Sequence, residues 1–284
     1  MALVPSVESN LEYWGTAYSW SEQGDEWSAP WGGTETLWYA TLLPRIRHFL
    51  PAESILEIAP GYGRWSQFLI DASDRYVGVD IAESCIRFCS ERFADRKHAS
   101  FVVNDGRSLD SVPDASVDFA FSFDSLVHVE VDVMASYVRE LGRTLTPDGI
   151  AFLHHSNLGE YAGPAKRAAT IGRLTGKVPV AGRGLRKVRV TGWDNSRAPS
   201  MSAAALVGLC DEAGVRCVGQ ELISWDKRSR RTIDCLSLVT RPGSRWDRPN
   251  VVVRNPRFVD EAASARALGQ VFTSLAPTVP VEAS

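Results

Sequence analysis

Apolar and polar positions in the first half of the chain alternate between two periods. Short apolar runs at residues 54–58, 75–79, 100–103, 117–123 and 150–154 predict strands. Between them, residues 63–72, 83–93 and 131–145 repeat their apolar positions with a helical period. The first of these helices carries Trp65, Phe68 and Leu69 on one face, and the last stops at Pro147-Asp148-Gly149. Strands and helices joined by brief loops predict a parallel α/β sheet with crossover helices on both faces. A further helical pattern precedes it at 37–49, despite Pro44. Toward the C-terminus, Ser202 is placed to cap a helix at 203–212, with Gly214 at its end. Runs at 216–224 and 232–240, joined by a charged turn, predict an antiparallel closing pair. A last helix is expected at 258–275, and residues 276–284 read as disordered. There is no internal repeat.

Charge and composition narrow the function classes. The 284 residues carry 31 Lys+Arg against 34 Asp+Glu, a net charge of −3, which argues against a protein held to nucleic acid by bulk charge. No apolar run approaches the ~18 residues of a membrane span, and the N-terminus lacks the pattern of a secretory signal. Five scattered cysteines, Cys85, Cys89, Cys210, Cys217 and Cys235, make no disulfide framework, so a reducing cytoplasm is the expectation. Cys85 and Cys89 read as buried small apolar residues. Charge is unevenly spread, however. Residues 159–198 hold nine basic and two acidic side chains, a local +7 that leaves −10 for the remainder. Aromatic residues are uneven too: Trp14, Trp20, Trp27, Trp31 and Trp38 are five of the nine tryptophans, joined by Tyr13, Tyr18 and Tyr39. This segment reads either as a lid or sugar platform, or as a cap packed into the core.

Candidate chemistry gathers at the strand ends. The first strand runs through Glu57 and Ala59-Pro60 into Gly61-Tyr62-Gly63 and then a helix, where glycine lets the backbone approach a ligand. The second strand ends at Asp80, 23 residues after Glu57, where an acid can bind ribose hydroxyls. The third ends at Asn104-Asp105-Gly106. There an acid can accept from an adenine amino group, or simply close an Asp-Gly turn.

These motifs, with 117–123 and 145–149, resemble class I S-adenosylmethionine-dependent methyltransferases over roughly residues 45–240. The resemblance implies a Rossmann-like sheet of seven strands, mostly parallel with an antiparallel last strand, helices on both faces and an aromatic N-terminal cap. It departs at Ala59, where the family usually has its first glycine. By position, Gly61 and Gly63 would border the methionine part of the cofactor. Glu57 would orient that loop or reach the amino group, and Asp80 would hold the ribose. Asn104 and Asp105, followed by Gly106, would meet the adenine, and Ile81 and Phe123 would sandwich it or flank the pocket. The chain divides into a cap at 1–44, a methyltransferase domain at 45–240 containing a basic substrate flap at 159–198, and a C-terminal extension at 241–284.

Methyl transfer to an alcohol needs a base near the acceptor. The fourth strand leads to Asp124 and His128, and the fifth to His154-His155-Ser156-Asn157. His154 or His128 is the expected base, with Asp124 orienting it or accepting from a substrate hydroxyl. Adjacent strand residues face opposite ways, so one of His154 and His155 is expected to face the pocket. An alternative lets Asp124, His155 and Asn157 hold Mg²⁺, although the set is His-rich for a hard cation. The expected activity is methylation of a hydroxyl on a small molecule or saccharide, in the manner of bacterial sugar or polysaccharide O-methyltransferases, with homo-oligomers left open. A NAD-dependent oxidoreductase would use the same crevice, but Ser66 breaks the Gly-x-Gly-x-x-Gly pattern. A non-catalytic nucleotide-binding scaffold is the other rival.

Overall fold

The computed structural model describes residues 6–161, 197–225 and 230–273. Eight strands form one sheet: β1 (Ala52–Ile58), β2 (Ser73–Asp80), β3 (Ala99–Val103), β4 (Val117–Ser122), β5 (Leu145–Ser156), β6 (Arg216–Ile223), β7 (Asp234–Thr240) and β8 (Val251–Asn255). Their order is β3-β2-β1-β4-β5-β7-β6-β8. The pairs among β1 to β5 are parallel, and β7 runs antiparallel to both of its neighbours, β5 and β6. The expected antiparallel pair is therefore present, but the count of seven is not. Val251-Val252-Val253 adds an eighth strand, parallel to β6 and hydrogen-bonded along Gly219–Ile223. Three successive β-branched residues favour the extended chain, and the prolines at 249 and 256 disguise the run as tail.

Helices connect and cover the sheet: α1 (Val7–Glu12), α2 (Thr34–Leu37), α3 (Leu43–Ile46), α4 (Ser66–Asp71), α5 (Glu83–Arg92), α6 (Val131–Thr144), α7 (Ala203–Ala213) and α8 (Phe258–Thr273). Period-two alternation sends each strand's side chains to two separate cores. Leu56, Ile58, Ala151 and Leu153 pack with Val138 and Leu141 of α6 and Leu206 of α7. Ile55, Phe119, Phe121 and Phe152 pack on the other face with Trp31, Trp38, Trp65 and Phe258. Ser202 caps α7 by accepting from the Ala205 amide, and Gly214 closes it with φ +71°.

The two ends of the chain meet on the second face. Arg45 makes a bidentate pair with Glu221 of β6 and also reaches Glu261 of α8, while the Arg266 side chain donates to the Pro30 carbonyl. None of the helices among the described residues is long and apolar enough to cross a membrane. Most of the basic stretch expected as a flap, the turn at 226–229 and the expected disordered tail lie outside the described residues.

Candidate active site

A pocket of about 740 Å³ opens at the carboxyl ends of β1 to β4, where ligands of open α/β sheets bind. Its volume lies within the roughly 300–1,000 Å³ usual for small-molecule sites. One wall is the loop after β1. Gly61 has φ +58°, and its amide donates to Asp80 Oδ2 at 3.0 Å, while Asp80 Oδ1 accepts from the Ala82 amide at 2.9 Å. Asp80 thereby fixes two turns at once. Its carboxyl is held above the usual carboxylate range, because burial outweighs these amides. The Trp20 ring lies directly over Gly61, so that a Cβ there would come within 2.9 Å of the indole. Trp20 also stacks on Tyr62 at 4.7 Å.

Asp80, Gly61, Ile81, Asn104, Gly106 and Phe123 all line this pocket, as their positions in the sequence led one to expect. Three residues assigned to the cofactor stand elsewhere. Gly63, φ +81°, faces Phe93 and Cys89 beneath the loop. Glu57 is buried on the second face, accepting from Ser66 Oγ at 2.7 Å and from the Tyr76 hydroxyl at 2.5 Å. It joins α4 to β2 under the loop, and its burial raises its pKa to about 7. Asp105 is exposed and spends Oδ1 on the Arg107 and Ser108 amides, which hold its carboxyl below the usual range; the Asp-Gly turn won.

At the ends of β4 and β5, the four residues expected to do chemistry divide into two that line the pocket and two that do not. His128 lines the pocket, with Trp14 packed on its ring at 5.3 Å and its carbonyl accepting from Asn10 Nδ2 at 2.8 Å. Asp124 also lines the pocket, in the left-handed region at φ +67°, but its carboxylate pairs with Arg64 at 3.0 Å and touches no histidine. His154 lies behind it, fully buried. Its Nδ1 accepts from the Asp124 amide at 3.0 Å, and its Nε2 stands 3.3 Å from Asp234 Oδ2. With its basic nitrogen committed to a backbone amide, His154 is a support for Asp124, not a base open to the pocket. His155 faces the other side of the sheet. There Nδ1 meets the Ser156 carbonyl and Nε2 meets Ser237 Oγ, and burial depresses its pKa to about 4.

The Mg²⁺ alternative fails on the same geometry. Asn157 donates to the Thr232 carbonyl and accepts from the Ala203 amide, away from Asp124. Among the described residues no three His, Cys, Asp or Glu side chains converge.

The aromatic N-terminal segment divides between pocket and core. Trp14, Trp20 and Trp27 roof the pocket, whereas Trp31 and Trp38 are core residues. Three other participants were not anticipated from the sequence. Arg64 follows Gly63 and is legible in hindsight as the first side chain after the glycine turn. Arg197 lines the pocket and makes a bidentate pair with buried Asp234, but the two lie 37 residues apart with no shared motif. Asn10 reaches across the pocket wall from α1.

Residues 55–149, which run from within β1 through β2 to β4 and α6, match a family described as a methyltransferase domain. No curated protein matches the chain significantly. Among solved structures, the PH0226 protein of Pyrococcus horikoshii OT3 is 20% identical with a TM-score of 0.52, the alignment covering 81% of this chain and 95% of that one. A DhpI–SAH complex is also 20% identical with a TM-score of 0.52, covering 85% and 98% of the two chains. At that identity the structures establish the fold alone. The domain match covers about a third of the chain and lies on the Rossmann-like sheet that those structures share.

Proposed function

We propose that this chain transfers a methyl group from S-adenosylmethionine to a hydroxyl of a small molecule or saccharide. The observation that carries this reading is a single pocket that joins a nucleoside-type edge to an imidazole under an aromatic roof. The edge is Gly61, Asp80 and Asn104, the imidazole is His128, and the roof is Trp14, Trp20 and Trp27. The cofactor fits this edge. Gly61, tucked under the Trp20 ring, sets the turn that meets Asp80, and each Asp80 oxygen keeps a second lone pair beyond the one given to an amide. Bound S-adenosylmethionine supplies an activated methyl group, so the chain must position an acceptor, exclude water and take up a proton.

His128 is the one histidine of the expected set that lines the pocket, and we assign it the proton. Asp124 and Arg64 form a polar pair at the same pocket that suits an acceptor's hydroxyls. Indole rings beside them suit the apolar face of a sugar. All five cysteines are free and buried, which suits a reducing compartment.

Thermal unfolding with S-adenosylmethionine, S-adenosylhomocysteine and NAD⁺ tests the cofactor. Either sulfur compound at 100 times its Kd should stabilise the protein by about 2.7 kcal/mol, and NAD⁺ should not. Stabilisation by NAD⁺ alone would overturn the reading. With an acceptor saccharide in hand, His128→Ala should lose transfer and keep S-adenosylhomocysteine affinity. Unchanged transfer would remove His128 from its role.

A further inference from the structure

We infer that Asn10, on the N-terminal helix α1, is the residue that recognises the adenine amino group of the cofactor. The inference rests on the proposed use of S-adenosylmethionine. It starts from a gap: the adenine end of the pocket lacks the acceptor expected there. Asp105 is turned out to solvent and bound to its own turn. Asn104 is largely committed, its Nδ2 donating to the Ser108 carbonyl and the Tyr137 hydroxyl and one lone pair of its Oδ1 accepting from the Gly106 amide at 3.3 Å.

α1 closes that gap from the other side. Val7, one turn before Asn10, packs on Gly106 so closely that a Cβ there would stand 3.0 Å from Val7 Cγ1 and 2.8 Å from Ile81 Cγ2. The helix therefore lies across the ends of β2 and β3, where the nucleoside would sit. Asn10 lines the pocket at 5% exposure. Its Nδ2 donates to the His128 carbonyl at 2.8 Å, which fixes the orientation of the amide, because that carbonyl can only accept. The remaining atom, Oδ1, is buried without a partner. A buried orphan acceptor is costly, and such atoms in native proteins call for an explanation. A ligand amino group supplies the missing donor. Two pocket-lining side chains carry orphan polar atoms among the described residues: Asn10, and Trp65 with an indole N–H that can only donate. Asn10 is thus the orphan that suits an amine.

S-Inosylhomocysteine tests this, because it carries a carbonyl oxygen where S-adenosylhomocysteine has the amino group. Asn10 cannot flip to greet that oxygen without giving up His128. By calorimetry, the wild-type protein should bind the adenosine compound at least about tenfold more tightly than the inosine compound. In Asn10→Ala the ratio should fall to within about twofold of unity. The ratio is internal to each protein, so a general weakening of the cap cancels. A wild-type protein that binds both equally overturns the inference without any variant. So does an Asn10→Ala protein that retains the full ratio. If neither compound binds the wild type, the methyltransferase reading fails first and the assignment falls with it. Thermal unfolding of the variant without ligand checks that the cap still folds.

Discussion

The two halves of the pocket are built from the same kinds of side chain, used in opposite ways. On the side proposed for the cofactor, Asp80 receives backbone amides from Gly61 and Ala82, each in a turn next to a strand end. On the side proposed for the acceptor, Asp234 receives side chains: Arg197 from 37 residues away, in bidentate contact, and His154 at 3.3 Å. The first arrangement shapes a loop around a ligand. The second locks three charged or polar groups together behind the pocket and leaves His154 to hold the Asp124 amide. A carboxylate that organises backbone is a binding feature, whereas one that organises buried side chains is a stability feature that supports the site at one remove.

The sharpest way to break this comparison is to remove each carboxylate. Asp234→Ala removes the buried carboxylate that Arg197 grips in bidentate contact, so it should cost about 3–5 kcal/mol in denaturant unfolding. Burial alone would raise the Asp234 pKa, but Arg197 and His154 outweigh it and hold the group well below the usual range. Asp80→Ala frees two amides, which costs less, about 1–3 kcal/mol, and should weaken S-adenosylhomocysteine binding strongly. Equal stability losses in the two variants would contradict the distinction.

This contrast also explains what could be read from the sequence. β1 to β5, the glycine turn and Asp80 were legible, because strand period, turn glycines and strand-end acids are local signals. Gly61, Ile81, Asn104, Gly106 and Phe123 reached the pocket for that reason. Asp105 and Glu57 misled because their surroundings outbid the motif. Asp105 found two amides in its own turn, and Glu57 pointed to the second face, where Ser66 and Tyr76 awaited it. The histidines were ambiguous by one residue. Alternation along β5 sent His154 toward Phe123 and His155 toward Ser237, a split that sequence anticipates, while the enclosure of His154 by Asp234 depends on a strand 80 residues on. β8 and Asn10 left no trace, since both act through partners distant in sequence.

Glu57 gives the second test, now of the cofactor side's hidden carboxylate. Its pKa is raised from 4.5 to about 7 by burial, against the hydrogen bonds of Tyr76 and Ser66. The folded state therefore holds its proton more tightly than the unfolded chain does. The stability it contributes is present below pH 4.5 and is lost as the pH rises through about 7, a total of about 3 kcal/mol. In urea unfolding, Glu57→Gln should remove this loss, so that the variant gains on the wild type by about that amount between pH 4.5 and pH 8. A difference that does not change with pH would show that Glu57 titrates normally, and would return it to a place open to ligand and water.

The smallest effect addresses the one point where the loop after β1 departs from the pattern it resembles. Ala59 has φ +59°, the left-handed region that glycine occupies freely and a Cβ makes costly. Its amide donates to the Val79 carbonyl at 2.7 Å and its carbonyl accepts from Ser125 Oγ at 3.0 Å, so β2 and the loop after β4 hold the strained residue in place. Left-handed alanine costs roughly 1–2 kcal/mol, and glycine gives back about 0.5–1 kcal/mol through its freer unfolded chain. Ala59→Gly should therefore raise stability by about 0.5–1 kcal/mol, measured by thermal unfolding. Because the neighbours, not the side chain, impose the turn, S-adenosylhomocysteine affinity should stay within about twofold of the wild type. A destabilised variant would mean that Ala59 does not sit in the left-handed turn. The cofactor loop would then follow another path past Gly61, and the local character assigned to this half of the pocket would be lost.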